Sequence, residues 1–484
     1  MPETYKHGIR VLEDATPIPE PAVTTSGVPV FIGTAPVNLA ANPAAAFGGV
    51  IYAESWDEAV AALGYSEDWA NYTLCQAMYA EFKAFRVAPA VFINVLDPAT
   101  HKTALASQTA AVSNKQATVA VKGILLSSIV VKDGDTTLTL DEDYALSFDD
   151  DGDLVITLLG TGTLPTSLTV TGDKINPAAV TAADVIGGVD ASTGVKSGLE
   201  LIDTINVRHN VVVSSIVAPI WSKTATVAAA MELKCEEISG VFRAEAWIDL
   251  DASSVTKYSA VAAAKTALGL TDPHDIICWP MYKLAGMPVM ALSALFAALA
   301  QYTDAQNGDR ANVSPSNKAL PDGYACLADG TPVYLDQREG NVVNASGVMT
   351  VIGFNGVQRS WGDETAAWPS STDPKDHFIP IRRYFTQHDN NFLVDYHNKV
   401  DDPANFRLVQ EFVDEQNIEL NSEKAAGRIA GGEITYSLTE NTAERIIAGE
   451  VIFHERIAPY TPGKYFENTV QFDPTLLAAA FGGE

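Results

Sequence analysis

Among 484 residues, the densest run of acids is Asp149, Asp150, Asp151, Gly152 and Asp153, the composition of a calcium-binding loop. With Gly152 at the loop's glycine, the first ligand falls on Ser147 and the last on Leu158. Both anchoring positions lack a carboxylate, so a hairpin turn is the favoured reading. His388, Asp389, Asp395 and His397 bring metal-ligand chemistry into ten residues, HDNNFLVDYH. On a strand the two histidines have opposite parity, and neither has the i, i+4 partner of a helical zinc pair. No metal or cofactor site is expected there. The WGDET run at 361–365 offers an active-site loop, but a buried Trp361 beside a close-packing Gly362 is the plainer reading.

Other catalytic signatures are absent: the sequence has no GxSxG elbow, GxxxxGK[ST] phosphate loop, HExxH, or GxGxxG after a strand. The 60 acidic residues leave a carboxylate pair for glycoside hydrolysis open, although abundance is no argument for one. A formal charge of −29 argues against direct nucleic-acid binding, which needs clustered Lys and Arg. Cys75, Cys235, Cys278 and Cys326 have no metal spacing and read as reduced thiols. The N-terminus lacks the apolar core of a secretory signal. The run 284–300 is short and broken by Pro288, so a buried helix is expected and no membrane insertion.

The elements that must position these residues read as α/β; multidomain, with an α/β core, an inserted all-β module and a C-terminal α+β domain carrying exchangeable terminal strands. The apolar runs VPVFI (28–32) and AVFINVL (90–96) flank helices expected at 55–63, where Ser55 and Glu58 form a capping box, and at 69–85. From 100 to 188 helical periodicity gives way to short β-rich runs: KGILLSSIVV, TTLTL, DYALSF, LVITLL and SLTVTG. That segment holds 11 acids and 5 lysines, as suits an exposed appendage. Strands at 210–217, 243–250 and 276–279 then alternate with helices at 198–204, 225–239, 255–268 and 289–302, which implies a largely parallel sheet covered on both faces. Short strands are expected at 331–335 and 348–352. The divisions expected are 1–27 (arm and linker), 28–99 and 189–375 (core), 100–188 (module), 376–462 (C-terminal domain) and 463–484 (arm).

Two stretches do not fit a self-contained domain. In 432–472, alternating runs at 433–438 and 445–457 read as paired strands, and Pro459, Pro462 and Gly463 then break the chain. Beyond the break, 465–472 alternates again, with Phe466, Val470 and Phe472 on one face. At the other end GIRVLE puts Ile9 and Val11 on a common face, ahead of a proline-rich tether at 15–27 that spans about 40 Å when extended. A short strand cannot satisfy its backbone alone, so each must join a sheet edge elsewhere.

The sequence resembles the contractile tail sheath proteins of tailed bacteriophages and of phage-tail-like bacteriocins. The matching stretches, in order, are GVPVFIGTAP, GGVDASTGVKSGLELID, SPSNKAL (314–320), WGDET, FIPIRRYF and AGRIAGGEITYSLTENTAERIIAGEVIFHERIAPYTP. Glu364 is a departure, since the family often carries a basic residue in the WG motif. The resemblance implies a structural subunit, without enzymatic activity or cofactor, stacked in sixfold rings around a tail tube. Its terminal arms would add strands to neighbouring copies, and contraction without ATP would drive the tube through the host envelope. Implied partners are further copies in a helical homopolymer, the tail tube protein, and the baseplate and tail-terminator proteins. The implied place is the virion tail, assembled in the host bacterial cytoplasm. The acidic helix carrying Glu411, Asp414, Glu415 and Glu419 is the expected tube-facing element, with an ordinary solvated face as the alternative. A passive surface-array protein and a carboxylate-dependent hydrolase are the competing classes.

Overall fold

The computed structural model describes residues 22–23, 27–149 and 151–482. The central sheet has eight strands among the described residues. Six run parallel, in the order Val348–Phe354, Asp275–Cys278, Glu245–Asp249, Val213–Val217, Val28–Gly33 and Ala90–Asn94. Antiparallel strands Val357–Trp361 and Ile51–Ala53 close the two ends. The apolar runs act as expected: every residue of Val28–Gly33, Ala90–Asn94, Glu245–Asp249 and Asp275–Cys278 is buried. Helix Leu292–Gln306 accounts for the apolar run that invited a membrane reading, since it packs against four of these strands. No helix among the described residues is long and apolar enough to cross a membrane. The four cysteines are free and buried.

Helix Trp56–Leu63 opens on Ser55, whose Oγ accepts from Glu58 N at 3.3 Å, while Glu58 reaches back to Glu54 N. The expected helix at 69–85 begins only at Thr73 and widens to a π turn over Ala80–Phe85, keeping Leu74, Met78 and Phe82 buried. No strand forms at 331–335. The pairing expected there goes to Gly323–Cys326, and helix Gln337–Asn344 follows, capped by Asp336 and Glu339.

Between Ala90–Asn94 and Val213–Val217, parallel strands that flank Val28–Gly33 on either side, the chain leaves the sheet and builds two antiparallel ones. One pairs Tyr144–Phe148, Leu154–Leu158 and Gln116–Val119; the other pairs Lys102–Ala111, Ser167–Ile175, Val130–Asp133 and Thr136–Thr137. They enclose a separate core that includes Leu105, Val131, Ile156, Leu168 and Val170. The β-rich run is narrower than 100–188, because helix Ala182–Ile186 returns Val185 to the main core. KGILLSSIVV is not one strand: Leu126–Ser128 forms a 3-10 turn inside it. The acidic run is the turn of a hairpin, in which Asp149 Oδ1 accepts from Asp153 N at 2.8 Å.

The C-terminal part comprises helices Ile379–Tyr396 and Phe406–Ala425 and a hairpin of Ile429–Tyr436 with Phe453–Pro459. Its own core is small, built on Tyr384, Leu420 and Ile429. The second run expected as strand, 445–457, is shorter than the alternation suggested. Arg445 lies in helix Ala443–Ile447, and the strand starts at Phe453.

Candidate functional site: the C-terminal arm, the hairpin and the joint beneath them

The two strands of the hairpin alternate between a face turned to helix Phe406–Ala425 and an exposed face. On the inner face Ile434 is buried, Ile429 clusters with Leu420, and Gly432 leaves so little room that a Cβ would meet Leu420 Cδ2 at 2.9 Å. A row of rings, Tyr396, Phe412 and Phe453, continues that face with centroids 4.6 and 5.3 Å apart. No third strand joins the hairpin among the described residues. Asn417 bonds both backbone groups of Ile434, each at 3.1 Å, and so occupies that point of one outer edge. Phe453 and Ile457, along the other strand, are half-buried.

Beyond Pro459 the chain crosses the body to residue 464 and then runs free. Residues 465–472 form no strand here, which departs from the expected strand: among the described residues no strand pairs with them. The three apolar side chains proposed for strand exchange are among the most exposed of their kind, Phe466 at 88%, Val470 at 84% and Phe472 at 75%. Helix Pro474–Ala480 follows, which the sequence reading missed. Asp473 as cap, accepting from Thr475 N at 2.8 Å, and Pro474 at the first position were its signals. It exposes Leu476, Leu477 and Phe481. Ile9 and Val11 lie outside the described residues.

The acidic helix forms where expected, but its charges are mostly spoken for. Glu411 pairs with Arg407 at 3.1 Å, Glu415 with Lys399 at 2.5 Å and Glu419 with Arg310 at 3.3 Å. Among the four, Asp414 alone has no ion pair among the described residues. Arg407, Glu411, Asp414 and Ile418 share the outer face, opposite the buried Val409, Gln416, Leu420 and Glu423.

SPSNKAL and WGDET, far apart in sequence, meet beneath the arm. Ser314 Oγ donates to Asp363, Gly362 N donates to Ser316 Oγ at 3.0 Å, and Ser360 Oγ donates to Pro315 O at 2.6 Å. Gly362 is close-packed as expected, with φ +128° and Asn344 Nδ2 2.6 Å from where a Cβ would lie. Trp361, expected to be buried, is half-buried, its Nε1 donating to Asn341 Oδ1 at 2.9 Å. Thr365 and Ala366 tie the loop to His377 O and Asp275 O. Lys265 holds it from below through Ser346 O, Ala366 O and Trp368 O at 2.6–2.7 Å, and burial pulls its ammonium down to about 8. Burial raises the Asp363 carboxyl to about 6, against the opposing pull of the Ser314 bond and of Lys464. Nearby, Arg383 and Asp304 form a fully buried bidentate pair, at 2.5 and 3.3 Å, that joins helix Ile379–Tyr396 to helix Leu292–Gln306. His388, which the metal reading weighed on a strand, lies on helix Ile379–Tyr396 and bonds Glu455 Oε2 at 3.1 Å. No group of three or more metal-capable side chains gathers among the described residues.

The described residues thus present a folded body, a two-stranded hairpin and an apolar tail that no other described residue covers. Over 501 aligned residues, covering all of both chains, the sequence is 26% identical to the tail sheath protein of Burkholderia phage BcepMu. The resemblance to tail sheath proteins holds along the whole chain. No family model matches. The fold agrees. The anti-feeding prophage baseplate contains a chain matched with TM-score 0.58, 15% identity and coverage of 97% of this chain and 99% of that one. A chain of the PVC extracellular contractile injection system, in its contracted sheath complex, matches with TM-score 0.56, 14% identity and 98% and 100% coverage. The sheath tail protein of Desulfitobacterium hafniense matches with TM-score 0.50, 11% identity and 94% and 100% coverage. The chain shares the fold of these solved chains over 94–98% of its length.

Proposed function

We propose that the chain is the structural subunit of a contractile phage-type tail sheath, polymerising in sixfold rings around a tail tube and contracting to drive the tube through an envelope. The observation that carries this reading is full-length similarity to a phage tail sheath protein in a chain that leaves Phe466, Val470 and Phe472 uncovered. In this reading the arm from 465 adds as a strand to the 453–459 edge of a neighbour, the edge that Asn417 leaves unoccupied. Ile9 and Val11 would do the same from the other end, giving a linked mesh. Burying an apolar side chain of this size yields about 1.5–3 kcal/mol, so three per arm offset part of the cost of ordering the segment, and the backbone hydrogen bonds of an added strand must supply the rest. The β-rich sheets at 102–175 read as an insertion that protrudes from the α/β core, since they carry a core of their own. Contraction then repacks rigid bodies against one another while the strand-linked arms stay engaged, and baseplate contacts trigger it. For tube contact, Asp414 and Ile418 are the outward residues still available; Asp414→Lys should weaken tube-bound assembly, and unchanged assembly would remove this helix from the tube interface.

Electron microscopy of the purified protein, with and without its tube protein, tests the reading. Sixfold tubes of two geometries, extended on the tube and contracted alone, are expected. Monodisperse particles under every assembly condition, or a single lattice geometry, would overturn it.

A further inference from the structure

Glu364 is a carboxylate that the body buries and leaves without a cationic partner of its own. Its side chain is 1% exposed, and Oε2 has no hydrogen bond among the described residues. The wall around it consists of Trp368 and Phe378, with Asp363 next to it already engaged by Ser314 Oγ. Such a site, an anion with aromatic faces, is built for an ammonium group. It opens into a cavity of about 850 Å³ whose far wall is the chain's own 460–465 segment. The group that fills it is Lys464. Its Nζ pairs with Glu364 Oε1 and lies 5.4 Å from the Trp368 ring centroid and 5.9 Å from that of Phe378.

We infer that Glu364, Trp368 and Phe378 form an ammonium socket that takes Lys464 and pins the C-terminal arm at its root. Pro462 and Gly463 mark a break in the sequence, but the last residue with an ion pair to the body is Lys464, its own side chain half in solvent, and every described residue after it is exposed. The arm's free length is therefore counted from 465. A pinned root fixes where the exposed tail leaves the joint, and so limits the positions its apolar face can search. The socket is independent of the sheath reading; only its use in directing an exchanged strand rests on that reading.

Amine acylation of the intact, unassembled chain with N-hydroxysuccinimidyl acetate, followed by peptide mass spectrometry, tests the socket. Lys424, exposed and free of ion pairs among the described residues, is the internal reference. Lys464 is half-exposed, so any protection comes from its ion pair: it should react about 3-fold more slowly than Lys424, and Glu364→Gln should bring the two rates together. Because Glu364→Gln puts an amide in a buried site, the exchange Glu364→Lys with Lys464→Glu gives a second reading. In that variant the lysine introduced at position 364 should be protected, whereas Glu364→Lys alone should lower the folded fraction. Equal reactivity of Lys464 and Lys424 in the parent chain, or an unprotected amine at position 364 in the exchange variant, would overturn the proposal. The measurement uses single subunits, so a negative result removes the socket and leaves the sheath reading to microscopy.

Discussion

The joint and the arm use side chains to opposite ends. In the joint, Arg383 and Asp304 are 2% and 0% exposed and bonded to each other twice. In the arm, Phe466 is 88% exposed, and its ring lies against Gly463 in its own turn. A folded body tolerates neither an unpaired buried charge nor an unburied apolar face, yet this chain obeys the first rule at the joint and breaks the second along one segment. The difference separates the two regions: the joint is closed within the subunit, and the tail's apolar face is left in solvent, as the proposed strand exchange requires.

The sharpest way to break that contrast is at the joint. Arg383→Met leaves the Asp304 carboxylate buried without its cation and should cost about 3–5 kcal/mol in urea denaturation. Adding Asp304→Leu should recover most of the loss, since a well-packed apolar pair often replaces a buried ion pair at no net cost. A loss below about 1 kcal/mol for the single variant would mean that the joint is no more closed than the tail.

A smaller effect, with a pH signature, is expected at Asp275 on the other side of the WGDET loop. Both its carboxyl oxygens are buried without a hydrogen-bond partner, and burial, then Glu232 and Asp272, push it up to about 9 against the pull of Lys265. The folded state thus binds this proton more tightly than the unfolded chain, where the carboxyl titrates near 3.9. The stability it contributes is complete below about 4 and is lost as pH rises toward 9. Asp275→Asn mimics the protonated form. The stability of the variant relative to the parent should therefore grow as pH rises from 6 to 9, by up to about 1.36 kcal/mol per unit while the proton difference is full. A constant difference across that range would show that Asp275 is not the titrating group.

Much of this was legible in the sequence. Continuous apolar runs such as VPVFI and AVFIN can only be central strands, and alternation exposes the unpaired face of Phe466, Val470 and Phe472 because period-two patterning survives without a partner. What the pattern could not show were contacts made across long separations. Lys464 is one lysine among several until the fold sets it against Glu364, and Asn417 gives no local sign that it will bond Ile434. Local patterning misleads at Arg445, which reads into a strand although Thr442 starts a short helix there.

The smallest effect on stability is expected where the largest effect on assembly lies. Changing Phe466, Val470 and Phe472 together to serine removes three large apolar groups, which in a core would cost several kcal/mol. Here the groups are already in water, so the isolated subunit should unfold within about 0.5 kcal/mol of the parent. The polymer, in contrast, loses on the order of 5 kcal/mol of burial per arm, and tubes should fail to form at concentrations where the parent assembles fully. Analytical ultracentrifugation beside denaturant unfolding separates the two terms. Should the triple variant unfold much earlier than the parent, the arm packs on its own body in solution, and the contrast with the joint collapses. Should it unfold alike and still assemble, the tail is exposed but idle, and the subunits are held by other surfaces.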